Sequence, residues 1–382
     1  MDQIPFLKPN VVKIEQYISY LEQIDDNRLY SNYGPLNRRF EENILTDFYN
    51  EIGAVTTVNN ATTGLILAIS LRKRENAKYA VMPSFTFSAT PLAAMWCGLQ
   101  PYFIDIEPTE WCMDNQILKE TIEHLGEEVA VVVPYATFGT SLDLPYYQKL
   151  ENDGIPVVID AAASFGCLNE NLEQFGKGFT GAVVYSFHAT KAFGIGEGGI
   201  IYSTDKEYIK KIRHAANFGY VSSRSSLLLG LNGKLSEYMS AIGIATLDVY
   251  QEKISKRQEI HEWYVRGIDE IRLRHKGWEL QRTHGRIPYQ TMSILCPKNM
   301  DNEVIIQKLG QQGIECRMYF SPPCHKQDHF IQMPRTDLSV TEEVCSRIIS
   351  LPFWEEMNQD QVKRVVLALH SLSMDGEYFG DE

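Results

Sequence analysis

Val184-Tyr185-Ser186-Phe187-His188-Ala189-Thr190-Lys191-Ala192-Phe193-Gly194-Ile195-Gly196-Glu197-Gly198-Gly199 decides how this chain is read. An apolar run rich in β-branched and aromatic residues ends at Phe187. A polar turn holding one lysine follows, and a glycine run then leads into a second apolar stretch, 199–202. The apolar runs are continuous rather than alternating, which predicts strands buried on both faces of a mainly parallel sheet. Working outward, the same texture recurs at 54–58, 79–82, 100–104, 129–133 and 157–159, with segments of helical length and composition between them, such as 62–74 and 88–97. This β-α-β-α order predicts a three-layer α/β/α domain. Before it, 15–27 and 38–50 read as amphipathic helices joined by a turn from Tyr30 to Pro35. After it, 236–273 reads as a long helix or a helix pair. Strand-like pieces at 289–295 and 313–317 then mix with helical ones at 302–312, 341–349 and 359–369. The expected division is a large domain over 1–250 and a smaller α+β domain over 251–382, with a frayed acidic end from Gly376.

The chain has 382 residues and a net charge of −13, with no lysine- or arginine-rich block, so nucleic acid and anionic membrane surfaces are poor partners. An anionic small substrate remains compatible with a local cationic pocket. The seven cysteines include no C-x-x-C pair and are expected to be reduced thiols of a cytoplasmic protein. No secretory leader or membrane span is expected, and the sequon at Asn60-Ala61-Thr62 is read as chance. The histidines form no H-x-x-x-H pair, so no metal site is expected.

Three stretches carry chemistry. In the first, a lysine set among small polar residues after a strand can be desolvated. Burial lowers its pKa from about 10.4 and frees the amine to form a Schiff base; a solvated loop lysine is the plainer reading, but the Ser-Phe-His-x-Thr-Lys and Gly-Glu-Gly-Gly context is too specific for it. In the second, Val157-Val158-Ile159-Asp160-Ala161-Ala162-Ala163-Ser164, a carboxylate ends a buried strand. Functional groups of open α/β sheets sit there, and it could hold a cationic heterocycle nitrogen or simply cap a helix. The third, Val58-Asn59-Asn60-Ala61-Thr62-Thr63-Gly64, opens a helix whose free N–H groups suit a phosphate, although an ordinary capped helix is the commoner reading. The literal G-x-G-x-x-G at Gly194, Gly196 and Gly199 precedes a strand and opens no helix, so it is not a dinucleotide fingerprint. Its glycines are expected to let the backbone pass close to a bulky cofactor.

Taken together, these stretches resemble the DegT/DnrJ/EryC1/StrS sugar aminotransferases, which have the aspartate-aminotransferase (type I) fold and use pyridoxal 5'-phosphate (PLP). The resemblance spans about Tyr33 to Leu367. It includes Gly34-Pro35, Phe40-Glu41, Asn60-Ala61-Thr62, Pro83-Ser84-Phe85-Thr86-Phe87, Asp105-Ile106, Asp160-Ala161-Ala162, Ser186-Phe187-His188 with Lys191, Gly196-Glu197-Gly198-Gly199, Asn232 with Ser236-Glu237, and Leu351-Pro352. It implies that Lys191 binds PLP as a Schiff base and that Asp160 pairs with the protonated pyridine nitrogen. Thr62, Thr63 and Ser186 would hold the phosphate, and Phe87 would stack on the ring. Asn232 would serve the neighbouring subunit's phosphate, which implies a homodimer with shared sites. Two positions depart from the family pattern: Ala163, where Gln or His commonly contacts the ring hydroxyl, and Lys234, where arginine is common.

A narrower likeness to the enzymes that form dTDP-4-amino-4,6-dideoxyhexoses implies L-glutamate and dTDP-4-keto-6-deoxy-D-glucose as substrates, in deoxyaminosugar biosynthesis such as that of O-antigen or lipopolysaccharide. Candidate substrate contacts are Tyr33, Lys234, Tyr319 and His325; the last sits in the loop Ser321-Pro322-Pro323-Cys324-His325, where a structural role is at least as common a reading. Arg224, Lys234 and Arg257 are candidate phosphate cations by charge and location, and for each a solvated surface charge is the commoner reading. The alternatives are amination at C3, a UDP-linked sugar, a PLP-dependent sugar dehydratase (a branch with histidine in place of Lys191), a desulfurase using Cys324, and a PLP-fold regulator without turnover.

Overall fold

The computed structural model describes residues 3–222 and 225–375. Arg224 and the acidic end 376–382 lie outside the described residues. Helices α1 (Ile18–Asn27) and α2 (Pro35–Tyr49) lead into the alternating region. That region comprises β1 (Ala54–Val58), α3 (Ala61–Arg72), β2 (Tyr79–Pro83), α4 (Ala89–Trp96), β3 (Gln100–Ile104), α5 (Asn115–Leu125), β4 (Val129–Val132), α6 (Leu144–Asn152), β5 (Val158–Asp160), β6 (Ala182–Ser186), β7 (Gly199–Ser203) and α7 (Lys206–Ala215). A 34-residue helix, α8 (Glu237–Glu270), follows. The C-terminal part holds β8 (Glu279–Leu280), β9 (Met292–Leu295), α9 (Asn302–Gln311), α10 (Ser339–Arg347), β10 (Ile348–Leu351) and α11 (Gln359–Asp375).

β2 pairs in parallel with β3 and β4, and β5 with β6, while β7 runs antiparallel to both β6 and β1. Val132 N–H donates to Pro156 O at 2.8 Å and Asp160 N–H to Pro134 O at 2.9 Å, so β4 and β5 join the two sets. The strand order across this sheet is β3-β2-β4-β5-β6-β7-β1. Alternate side chains of one strand enter opposite cores, which explains why the runs are continuously apolar. Val183 and Tyr185 pack with Phe40, Ile44 and Tyr250 of α2 and α8. Val184 packs with Leu65, Ile69 and Ile212 of α3 and α7. This is the expected three-layer arrangement.

A separate core lies around the antiparallel sheet β10-β9-β8. α8 belongs to both cores: Ala241 to Ile254 face the large sheet, and Ile260, Tyr264 and Ile268 face the C-terminal one. Position 250 therefore falls inside one continuous helix. α2 begins at Pro35 rather than 38, because proline at the first helical position needs no N–H partner. The 341–349 stretch changes from helix to strand at Ile348, where pairing of Ile348 to Leu351 with β9 takes over. Residues 313–317 form isolated bridges only, Ile314 with Ile4 and Arg317 with Ser350. No helix among the described residues is long and apolar enough to cross a membrane.

Candidate active site

The carboxyl ends of β4, β5 and β6 and the start of α3 converge on one cavity of about 680 Å3. Asn60 has extended backbone, and its Oδ1 accepts from Thr63 N–H at 2.8 Å, capping α3. The remaining first-turn N–H groups have no partner within the helix and carry its positive dipole end. Thr62, Thr63 and Ser186 line the same cavity. Within the chain itself the glycine run at 194–199 allows close approaches. A Cβ on Gly199 would lie 2.8 Å from Tyr185 O and 3.0 Å from Ala61 N, and one on Gly194 would lie 2.6 Å from Ala189 O. These glycines let the chain pass close to itself.

Asp160 ends β5, is buried, and has no helix directly after it, so the capping alternative falls away. Thr90 Oγ1 donates to its Oδ2 at 2.6 Å, and Ala162 N–H donates to its Oδ1 at 3.1 Å. Thr86 Oγ1 lies 3.0 Å from Thr90 Oγ1 behind it. Burial pushes the carboxyl up from its ordinary value. The Thr90 and Ala162 bonds and the nearby Lys191 charge oppose that shift. Lys191 stands on the turn after β6, and burial lowers its amine to about 8, against the opposing pull of Asp160. Its Nζ donates to Gln290 Oε1 at 3.0 Å.

The cavity gathers Thr62, Thr63, Phe87, Asp160, Ser186, Lys191 and Tyr319 from the expected set. Its far wall is aromatic, with Phe320 5.7 Å from Phe138 and 6.2 Å from Phe87 between ring centres. The other expected residues lie elsewhere. Asn232 is exposed and accepts from Lys234 Nζ at 2.8 Å, while that amine also sits 4.6 Å over the Phe218 ring. Tyr33 donates to Arg213 O at 3.0 Å, with the Arg213 guanidinium stacked 3.7 Å above its ring.

His325, of the two readings its loop allowed, has the structural one, being 3% exposed. Its Nδ1 lies 2.7 Å from Ser84 Oγ and its Nε2 3.1 Å from Glu342 Oε1, so both nitrogens are engaged within the protein. Arg257 is likewise no phosphate cation: it is buried, with Nε 2.8 Å from Glu355 Oε1 and a second bond to Tyr289 O. Cys324 is buried, donates to Thr86 O, and is pushed up to about 12 by burial, which leaves no thiolate for desulfurase chemistry. Sequence reasoning missed Thr90, on α4, and Gln290, just before β9; each meets its partner only in the folded chain.

The donor set fits PLP: a buried carboxylate for a cationic ring nitrogen, an amine of lowered pKa for an aldehyde, and a capped helix start with three hydroxyls for a phosphate. Fold and site thus define a PLP-dependent aminotransferase. The chain belongs to the DegT/DnrJ/EryC1/StrS aminotransferase family, whose sequence pattern it matches over residues 12–370. It is similar to a solved structure from Bacillus cereus, provisionally named a PLP-dependent aminotransferase, at 49% identity and a TM-score of 0.95, covering 97% of this chain and 100% of that one. Protein Rv3402c of Mycobacterium tuberculosis is 32% identical over 98% of this chain and 91% of its own length. The dTDP-4-amino-4,6-dideoxy-D-glucose transaminase of Shigella dysenteriae is 26% identical over 96% of this chain and 98% of its own.

Proposed function

We propose that this enzyme transfers an amino group from L-glutamate to a nucleotide-linked keto-deoxysugar, with dTDP-4-keto-6-deoxy-D-glucose as acceptor and dTDP-4-amino-4,6-dideoxyglucose as product. The observation that carries the reading is the meeting of Lys191, Asp160 and the α3 start in one cavity. The likeness to the Shigella enzyme along nearly the whole of both chains supports the sugar. When bound, PLP would supply an electron sink for the carbon whose proton is removed or added. Asp160, kept ionised by a cationic ring nitrogen against it, holds that nitrogen protonated. Thr62, Thr63, Ser186 and the α3 N–H groups bind the phosphate, and Phe87 covers the ring. The Lys191 amine takes the proton from the donor's Cα and, in the second half of the exchange, gives one to the sugar carbon that receives the amino group, a general acid–base role. The enzyme works as a homodimer in which Asn232 serves the neighbouring site; its exposure and its place off the chain's own cavity favour this.

The test is an absorbance spectrum of the PLP-loaded protein with L-glutamate and then the sugar. The visible band of lysine-bound PLP should bleach with glutamate and return with dTDP-4-keto-6-deoxy-D-glucose. Bleaching without return would reject that sugar and point to a 3-keto or UDP-linked acceptor. Lys191→Ala should abolish turnover while far-UV circular dichroism stays native; retained turnover would overturn the assignment.

A further inference from the structure

The amide that meets Lys191 comes from far away in sequence. Gln290 precedes β9, in the C-terminal part, yet its Oε1 accepts from Lys191 Nζ at 3.0 Å across 99 residues. Thr291 beside it lines the same cavity and is buried, and its hydroxyl has no hydrogen-bond partner. Thr291 also shares a narrow void of about 30 Å3 with Phe138, which follows β4. This polar edge therefore lies on the β4 side of the cavity, whereas the α3 start and Ser186 lie toward β1 and β6.

PLP has a fixed outline. The carbon that joins a lysine stands opposite the ring nitrogen, flanked by the phosphate arm on one side and the phenolic oxygen on the other. Asp160 and Lys191 set the axis and the α3 start takes the phosphate flank, which leaves the Gln290 edge for the oxygen. Ala163, three residues after Asp160, offers only a methyl group. We propose that Gln290 is the positioning residue for the phenolic oxygen of PLP, its carboxamide serving both the Lys191 amine and that oxygen. A carboxamide can do both, because it accepts through oxygen and donates through nitrogen. The proposal rests on Lys191 and Asp160 as the PLP site and is independent of which sugar is used.

An N–H directed at the phenolic oxygen stabilises its negative charge. The proton on the adjacent lysine nitrogen is then held less tightly and leaves at lower pH. Deleting the donor should raise that pH. The experiment is a pH titration of the visible band of the PLP-loaded protein. In Gln290→Leu the midpoint should rise by about one unit or more, the effect of one hydrogen bond to a charged group. Gln290→Glu keeps the side-chain length but loses the donor and adds negative charge, so its midpoint should rise as well; it decides the question if the leucine variant does not fold. Folded variants with lowered melting temperature and an unchanged midpoint would show a structural role only and overturn the proposal. Absence of any visible band in the unsubstituted protein would instead remove the Lys191 assignment on which the proposal rests.

Discussion

Lys191 is poised by burial, and this has a measurable pH signature. With the amine at about 8, its neutral fraction grows about tenfold per unit well below that pH and levels off above it. The rate at which the apoprotein captures PLP should follow the same curve; a rate still climbing above about pH 9 would mean that the lysine is solvated. Thr90 acts on the partner group. Its hydroxyl lowers the Asp160 pKa against the burial that raises it, so Thr90→Val should raise that pKa further. The carboxylate would then protonate from a higher pH downward, moving the acid limb of the kcat/KM profile upward. PLP affinity should fall roughly tenfold for a lost hydrogen bond to a charged group. Asp160 and Lys191 were legible in the sequence because each stands at or just beyond the end of an apolar run. Thr90 lies 70 residues from its partner, and no local pattern marks it. The Ser-Pro-Pro-Cys-His loop carries no local sign that Ser84 and Glu342 draw the His325 ring inside.

Among the elements, α2 and α8 are locked together by one carboxylate. Glu237, at the start of α8 and 1% exposed, accepts from Leu36 N–H at 2.8 Å and Asn37 N–H at 2.9 Å, the open first turn of α2. Gly34 leaves room for it, since a Cβ there would lie 2.6 Å from the Glu237 carboxyl carbon. The Gly34-Pro35 and Ser236-Glu237 pieces of the family pattern are thus two halves of one joint. Glu237→Gln would set an NH2 group against one of the two N–H donors and should cost about 1–3 kcal/mol, visible as a lower melting temperature. Gly34→Ala should destabilise too, and less in a Glu237→Ala background because the clash is gone; a double-mutant cycle would measure the coupling. The strands of the large sheet were legible because both their faces are buried. The β10 strand was not, since Ile348 follows α10 with no breaker between them and only pairing with β9 makes it extended.

For the molecule as a whole, α8 carries the ion pair that ties the two cores. Arg257 holds Glu355 after β10 and the Tyr289 carbonyl next to Gln290, with Lys253 3.7 Å from the same carboxylate. Arg257→Leu removes the closest cation from a buried carboxylate and should cost about 3–5 kcal/mol of unfolding free energy in urea titration. Nothing in the sequence paired Arg257 with Glu355, which lies 98 residues on. The opening segment is woven in from even further away. Ile4 is buried in the C-terminal core and exchanges backbone bonds with Gly313 and Glu315, and Phe6 N–H donates to Glu315 across 309 residues. A ribosome adding about 5–20 residues per second makes the first of these partners roughly 15–60 s before the last. Through that wait the nascent chain can close its large sheet, but it must carry Ile4 and Phe6 uncovered until residues 313–315 are made.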